Sequence, residues 1–273
     1  MRKRTGSVVC PSCGRLVGVN DPECFNCGRK NPSLWGFAPL LRYLDDIPLA
    51  QVVMVSCAIL YLGMLLLSGR HVESGGMTIL GPSSQALLVF GASGAYPMFE
   101  LHRWWTPLSA SWLHAGVLHI LFNMMWVRDL APAVSHFYGA SRAIIIYTVS
   151  GVAGFLLSSA VNFVLWPGQP HFTVGASACI FGLLGAMIYY QRRAPTRLIG
   201  FSAGGLAVVM LVFGFIMPGI DNWAHLGGLA GGFLASVLMD PLKPEGQGQM
   251  IAAVLCLVAS IASIIASILT AFI

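Results

Sequence analysis

Apolar residues along this chain fall in long blocks separated by short polar stretches. The blocks lie near 48–67, 113–134, 143–165, 173–190, 197–217, 222–239 and 250–272. A helix needs about 20 residues to cross a hydrocarbon core roughly 30 Å thick. Each block therefore predicts a membrane-spanning helix. The fourth and sixth are short, which suits helices that begin below the membrane surface inside a protein bundle. Ahead of them, residues 1–30 are polar and predict a small separate module. Residues 31–47, with Pro32, Pro39 and Asp45-Asp46, read as a linker. Residues 48–240 hold six of the helices, and 241–273 a loop and the seventh. The loop 68–112 carries an apolar run, Ala86-Leu87-Leu88-Val89-Phe90, and the cluster Arg103-Trp104-Trp105. A loop well beyond about 15 residues predicts a functional or lipid-lying segment, and indoles favour the headgroup zone.

Composition agrees. The chain is 56% hydrophobic and 9% charged, against about 25% charged in soluble domains. The class is an all-α polytopic membrane protein, and the blocks are too long for an outer-membrane barrel. Met1-Arg2-Lys3-Arg4 is basic but is followed by a cysteine-rich stretch, so no signal peptide is expected. The net charge of +5 sits in a few clusters without an extended basic face beyond the first thirty residues, which excludes nucleic acid as a partner. Those clusters fix an expected orientation. Arg2, Lys3, Arg4, Arg15, Arg29 and Lys30 precede the first span. Arg128 and Arg142 flank the second-to-third turn, Arg192, Arg193 and Arg197 follow the fourth span, and Lys243 follows the sixth. All share one side if the N-terminus is cytoplasmic and the C-terminus outside. The expected location is a bacterial inner (plasma) membrane, with the lipid bilayer as a partner.

Cysteines divide into two groups. Cys57, Cys179 and Cys256 lie in apolar blocks and read as small buried hydrophobes. Cys10-Pro11-Ser12-Cys13-Gly14 and Cys24-Phe25-Asn26-Cys27-Gly28 are matching knuckles. Four thiolates on two such turns satisfy a tetrahedral Zn²⁺. Thirty residues make too small an apolar core, so the metal would supply the folding free energy. A reducing compartment argues against disulfides. A pair of redox CxxC motifs is the alternative and needs a larger supporting fold. Zn²⁺ is thus expected as a structural cofactor of a zinc-ribbon-like module. A regulatory role, or docking of a cytoplasmic partner, stays a hypothesis.

Ser177 and His225 stand out within the apolar blocks, because ionisable and polar groups at bilayer depth are costly. A serine in a span usually bonds its own helix or a neighbour. Ser177, however, follows Pro170 and Gly175 near the start of its helix, where free N–H groups and the positive dipole end favour an oxyanion. Gly228 and Gly232 share a helix face with His225, and small residues on facing helices allow the close approach that a serine–histidine hydrogen bond requires. In the second span, His119 and Asn123 stand at i and i+4 on one face. They read either as helix-to-helix bonds or as donors to an anionic oxygen. No Asp or Glu sits inside the sixth span or beside Ser177; Asp221 is four residues before His225 but near the outer surface. The expectation is a dyad with His225 oriented by packing.

Several patterns occur here in one order: Glu100-x-x-Arg103, His114-x4-His119-x3-Asn123, Gly175-x-Ser177 and Ala224-His225-x-x-Gly228-x3-Gly232. Together they make the chain resemble the rhomboid family of intramembrane serine proteases across residues 48–240. The resemblance implies a six-helix core, a Ser177–His225 dyad in a water-filled cavity open to the outside, and an amphipathic first loop in the outer leaflet. It makes His119 and Asn123, with the Ser177 N–H, the expected oxyanion donors. His114, Gly175, Gly228, Gly232 and Arg103 become supporting residues. The first loop has His102-Arg103 where the family usually has Trp-Arg, with Trp104 and Trp105 following. The seventh span resembles the six-plus-one arrangement, and the cysteine module is an accessory. The expected activity is serine endopeptidase cleavage of transmembrane protein segments, with no cofactor for catalysis. Such substrates must unwind, because a regular helix occupies its own carbonyls. The alternative is a non-catalytic rhomboid-like scaffold that binds transmembrane helices. A transporter lacks support, since no inverted repeat is present.

Overall fold

A computed structural model describes residues 4–36, 48–75, 78–193, 202–243 and 245–271. At the N-terminus the two knuckles form the same turn twice. The N–H of Cys10 bonds the Arg15 carbonyl at 2.7 Å, and that of Cys24 bonds the Arg29 carbonyl at 2.8 Å. Gly14 and Gly28 donate back to Cys10 and Cys24, each at 2.9 Å. Their φ values of 73° and 70° lie in the left-handed region that favours glycine. Flanking the first knuckle, β1 (Ser7–Val9) pairs antiparallel with β2 (Leu16–Gly18), Val8 opposite Val17. Val8, Val17, Val19, Cys10, Cys24 and Leu34 pack together. The packed module thus includes Leu34 of the predicted linker, while Pro39 and Asp45-Asp46 lie outside the described residues.

The apolar blocks become helices: α1 (Leu49–Ser68), α2 (Ser84–Phe90), α3 (Val117–Tyr138), α4 (Ala140–Leu165), α5 (Ser177–Arg193), α6 (Ala203–Ile216), α7 (Asn222–Leu238) and α8 (Gln247–Thr270). Among the described residues, three helices, Leu49–His71, Ala140–Leu165 and Gly248–Thr270, are long and apolar enough to cross a membrane. A fourth candidate is Thr106–Trp112 together with α3, which meet at 90°. With α5 and α7 at 17 residues and α6 at 14, these helices are roughly 21–26 Å long at 1.5 Å per residue. They fall short of the hydrocarbon thickness. The fourth block also differs from its expected bounds: its first part, 173–176, is not helical, and the helix starts at Ser177. The helix of the second block runs from Val117 to Tyr138 instead of 113–134; Arg128 lies inside it, paired with Asp129 at 3.0 Å, and with Arg142 flanks the turn at Gly139. Residues 197–201, including Arg197, lie outside the described residues.

Burial explains the layout. On α1 the buried residues Val53, Cys57, Tyr61 and Met64 recur at helical spacing and form one inward face. On α5 every residue from Ala178 to Met187 is buried, so this helix is surrounded by protein. It packs most closely on α7, and α7 on α4. By contrast α6 buries only Ala203, Ala207 and Gly214. The long first loop is built from α2, a π-helical turn at Tyr96–Glu100 and a helical turn at Thr106–Ser109. Ser83 caps α2 by accepting the Ala86 N–H at 3.2 Å.

At one end of the bundle, Arg193 and Lys243 reach Asp240 at 3.7 and 4.0 Å, and Arg142 donates to the Lys243 carbonyl at 2.7 Å. The cysteine module sits at this same end. Helix composition and this multi-helix architecture make the chain a multi-pass membrane protein.

Candidate active site

The chain before α5 is held extended from both sides. Thr173 exchanges two backbone hydrogen bonds with Ser93, at 2.8 and 3.1 Å, and Gly175 donates to the Ala110 carbonyl at 2.9 Å. Gly175 has a φ of 129°, and a Cβ there would lie 2.6 Å from His119 Nε2. Both its conformation and its neighbour demand glycine. Immediately afterwards α5 begins at Ser177, so this serine stands in the first turn, where backbone N–H groups lack intrahelical partners.

Asp221 caps α7 by accepting the Ala224 N–H at 3.0 Å, and its other oxygen takes a short hydrogen bond from Ser158. That cap starts α7 one turn before His225. The approach of α7 to α5 is made by glycines. A Cβ at Gly228 would collide with the Ala178 backbone, and one at Gly232 with the Gly182 backbone. Across this seam His225 Nε2 lies 2.9 Å from Ser177 Oγ. The imidazole stacks on Phe181, with centroids 4.3 Å apart and planes 17° apart.

A further group, which the sequence reading missed, meets the histidine from behind. Asn222 Oδ1 lies 3.3 Å from His225 Nδ1, and Asn222 Nδ2 donates to the Leu211 carbonyl of α6 at 3.4 Å. An amide oxygen only accepts, so the contact favours the tautomer protonated at Nδ1. Nε2 is then free to accept the Ser177 proton. Asn222 stands at i−3 from His225, and that spacing was the available signal.

The opposite side of the serine is arranged differently. His119 Nδ1 accepts the Ala115 N–H at 3.3 Å, which leaves its Nε2 edge beside Gly175. Asn123 is buried, but its Nδ2 donates to the His119 carbonyl of its own helix at 2.8 Å, and its Oδ1 has no partner among the described residues. His114 is wholly buried beside His119, centroids 5.1 Å apart, and neither ring nitrogen finds a partner among the described residues. Arg103 is remote from this cluster. It donates to the Leu88 and Thr270 carbonyls at 3.0 and 3.2 Å, tying the first loop to α8. Over the cluster, His171 accepts the Ala95 N–H at Nδ1 (3.4 Å) and places Nε2 3.8 Å from Asp221. Burial holds this imidazole below its ordinary pKa, and Asp221 opposes that in part.

The four cysteines of the module do converge. Their sulfurs all lie within 4.8 Å of one another, with Cys10–Cys27 at 3.8 Å and Cys13–Cys24 at 3.6 Å. Zn–S bonds of about 2.3 Å in a tetrahedron place sulfurs about 3.8 Å apart, so the donor set fits that ion. The Arg15 backbone N–H lowers the Cys13 thiol to about 6, whereas burial raises Cys27 to about 12 and pushes Cys10 upward.

A serine hydroxyl bonded to an imidazole at a helix start is an arrangement that can make a nucleophile. The Rhomboid domain model matches residues 101–241. The chain is 33% identical over 180 residues to Rhomboid protease GluP of Bacillus subtilis (strain 168), covering 65% of this chain and 34% of that protein. It is 36% identical over 165 residues to RHOMBOID-like protein 1 of Arabidopsis thaliana (57% and 40% covered) and 36% identical over 168 residues to RHOMBOID-like protein 7 (59% and 51%). The chain belongs to the rhomboid family. The matched stretch spans between a third and about half of the length of these relatives.

Proposed function

We propose that this protein is an intramembrane serine endopeptidase that cleaves transmembrane segments of other membrane proteins. The observation that carries the reading is the 2.9 Å contact between Ser177 Oγ and His225 Nε2 across a glycine seam. Ser177 attacks the scissile carbonyl while His225 takes its proton at Nε2 and returns it to the leaving amine. Asn222 holds the Nδ1–H, and stacking on Phe181 fixes the ring plane. The resulting oxyanion sits beside the Ser177 N–H and the His119 edge. Asn123 joins when its amide turns away from its own helix. Water then cleaves the acyl-enzyme by the same proton path in reverse. His114, with two unpartnered nitrogens, gives a water molecule polar anchors at the cluster.

The scaffold reading requires none of these contacts. In that reading a buried serine and histidine have no reason to face each other at hydrogen-bond distance. We place the N-terminus and its module in the cytoplasm and Ser177 toward the outer face, since the basic residues gather at the module's end of the bundle. The four cysteines hold a structural Zn²⁺, which closes the two knuckles and takes no part in hydrolysis.

Incubation of the purified protein in detergent with a model single-span substrate tests the enzyme reading. Wild type should cleave, Ser177→Ala should not, and His225→Ala should fall on the order of 10⁴-fold. A fluorophosphonate should label wild type and spare Ser177→Ala. Equal cleavage by all three proteins would sink the proposal.

A further inference from the structure

The cysteine module touches the membrane bundle through the residues that its own knuckles orient. Ser12 lies inside the first knuckle, between Cys10 and Cys13, and its hydroxyl donates to the Glu245 carbonyl at 2.8 Å. Arg29 follows the second knuckle. Its guanidinium donates to Ser12 Oγ at 2.6 Å and to the same Glu245 carbonyl at 3.4 Å. Both knuckles therefore converge on one carbonyl, just ahead of α8.

Glu245 in turn uses its side chain on the bundle. Its carboxylate accepts the Arg142 N–H at 2.9 Å in the first turn of α4, where a negative charge complements the helix dipole. Gly139, at a φ of 92°, leaves the space that this carboxyl fills. Met250, in the first turn of α8, packs on the module's apolar core. Among the described residues, a cleft of about 340 Å³ runs between Pro11 and Ser12 on one side and Phe137, Tyr138, Arg142 and Lys243 on the other. Oriented hydrogen bonds and the Met250 contact span this joint.

The far end of α8 is tied as specifically. With 24 residues it is about 36 Å long at 1.5 Å per residue, so its two ends lie at opposite faces of the bundle. There Trp105 Nε1 donates to Ser267 Oγ at 2.9 Å, Ser263 donates to the Trp105 carbonyl at 2.8 Å, and Arg103 donates to Thr270. Trp105 leads directly into the Thr106–Ser109 turn and Ala110, whose carbonyl holds Gly175 beside Ser177. A continuous line of specific contacts joins the cysteine knuckles to the segment before the serine.

We propose that the module is a metal-set staple on the start of α8, and that α8 transmits its state to the Arg103–Trp105 stretch. Metal closes the knuckles, the knuckles aim Ser12 and Arg29, and these fix Glu245 and with it the starts of α4 and α8. The proposal rests on the zinc-holding reading of the four cysteines.

Hydrogen-exchange mass spectrometry on the full chain in detergent tests it, comparing zinc-loaded protein, chelator-stripped protein and a zinc-loaded Ser12→Ala variant. Stripping should speed exchange roughly tenfold at 140–143 and 245–250, and several-fold at 103–106. Ser12→Ala should keep its zinc yet speed exchange at 245–250 about fivefold, the size of one lost hydrogen bond. Unchanged exchange at 140–143 and 245–250 after stripping overturns the staple. A change that stops there overturns its transmission through α8. Metal analysis of the starting sample identifies failure of the zinc reading separately, and none of these readouts depends on peptide cleavage.

Discussion

The two sides of Ser177 are built by different means. On the His225 side, backbone contact through Gly228 and Gly232 sets the distance between helices, Phe181 sets the ring plane, and Asn222 sets the tautomer. Little remains to move. On the other side, only the Ser177 N–H and the His119 edge are placed by the fold, while Asn123 spends its donor on its own helix and leaves Oδ1 bare. The Asn123 donor is already engaged, so reaching an oxygen anion requires it to exchange the His119 carbonyl for that anion. The His225 side is thus held by several contacts at once, whereas on the His119 side the Asn123 amide is engaged with its own helix.

Four substitutions separate the two sides. Gly228→Val inserts a branched side chain against the Ala178 backbone and prises Ser177 from His225. Cleavage should fall about 10²- to 10⁴-fold, the contribution of a positioned base, and thermal stability should drop by about 1–3 kcal/mol. Unaltered fluorophosphonate labelling would show that the seam does not set the pair. Asn123→Ala should lower kcat about 100- to 1000-fold with little change in melting temperature. A loss confined to KM would mean that Asn123 binds substrate and does not stabilise the oxyanion. Asn222→Ala should cost about tenfold in kcat and leave KM alone, since the ring keeps its stack but loses its tautomer preference. Asn222→Asp, which retains the acceptor, should recover most of that loss. Failure of Asp to rescue would reduce Asn222 to a packing role.

The smallest effect is in pH. The folded pKa of His171 lies below its ordinary 6.5, so the unfolded chain binds the proton more tightly. Its stabilising contribution is complete above about pH 6.5 and is lost as pH falls through that value toward the lower folded one. Protonation also turns Nδ1, which accepts from Ala95, into a donor. Melting temperature should therefore fall less steeply from about pH 7 to about pH 5 in His171→Gln than in wild type. Parallel slopes would remove His171 from the account.

Much of this was legible along the chain. Uniform apolar blocks admit few states but helices in lipid, and α1, α4 and α8 lie close to their expected bounds. Ser177 at a helix start, and His225 on a glycine face, were readable from Gly175 and from the Gly228–Gly232 spacing. Less legible was anything set by a distant partner. The start of α5 slipped from 173 to 177 because Ser93 and Ala110 hold Thr173 and Gly175 in extended form, and hydropathy does not register such pairing. The end of the second span moved from 134 to 138 because Ser135 and His136 interrupt the apolar run before the helix ends at Tyr138. Asn222 was passed over as an ordinary residue at a helix start, although its i−3 offset put it on the face of His225.

The sequence by itself determined the membrane class, the family motifs and the two cysteine knuckles, because these depend on composition and local spacing. The tertiary structure alone decided which atoms meet. It placed Nε2 against Oγ, set Asn222 behind the ring, turned Asn123 onto its own helix, and brought Ser12 and Arg29 to Glu245. Hydrogen bonds act only within about 3 Å and at fixed angles. No one-dimensional pattern specifies that precision when the partners lie far apart in the chain, as Ser177 and His225 or Ser12 and Glu245 do.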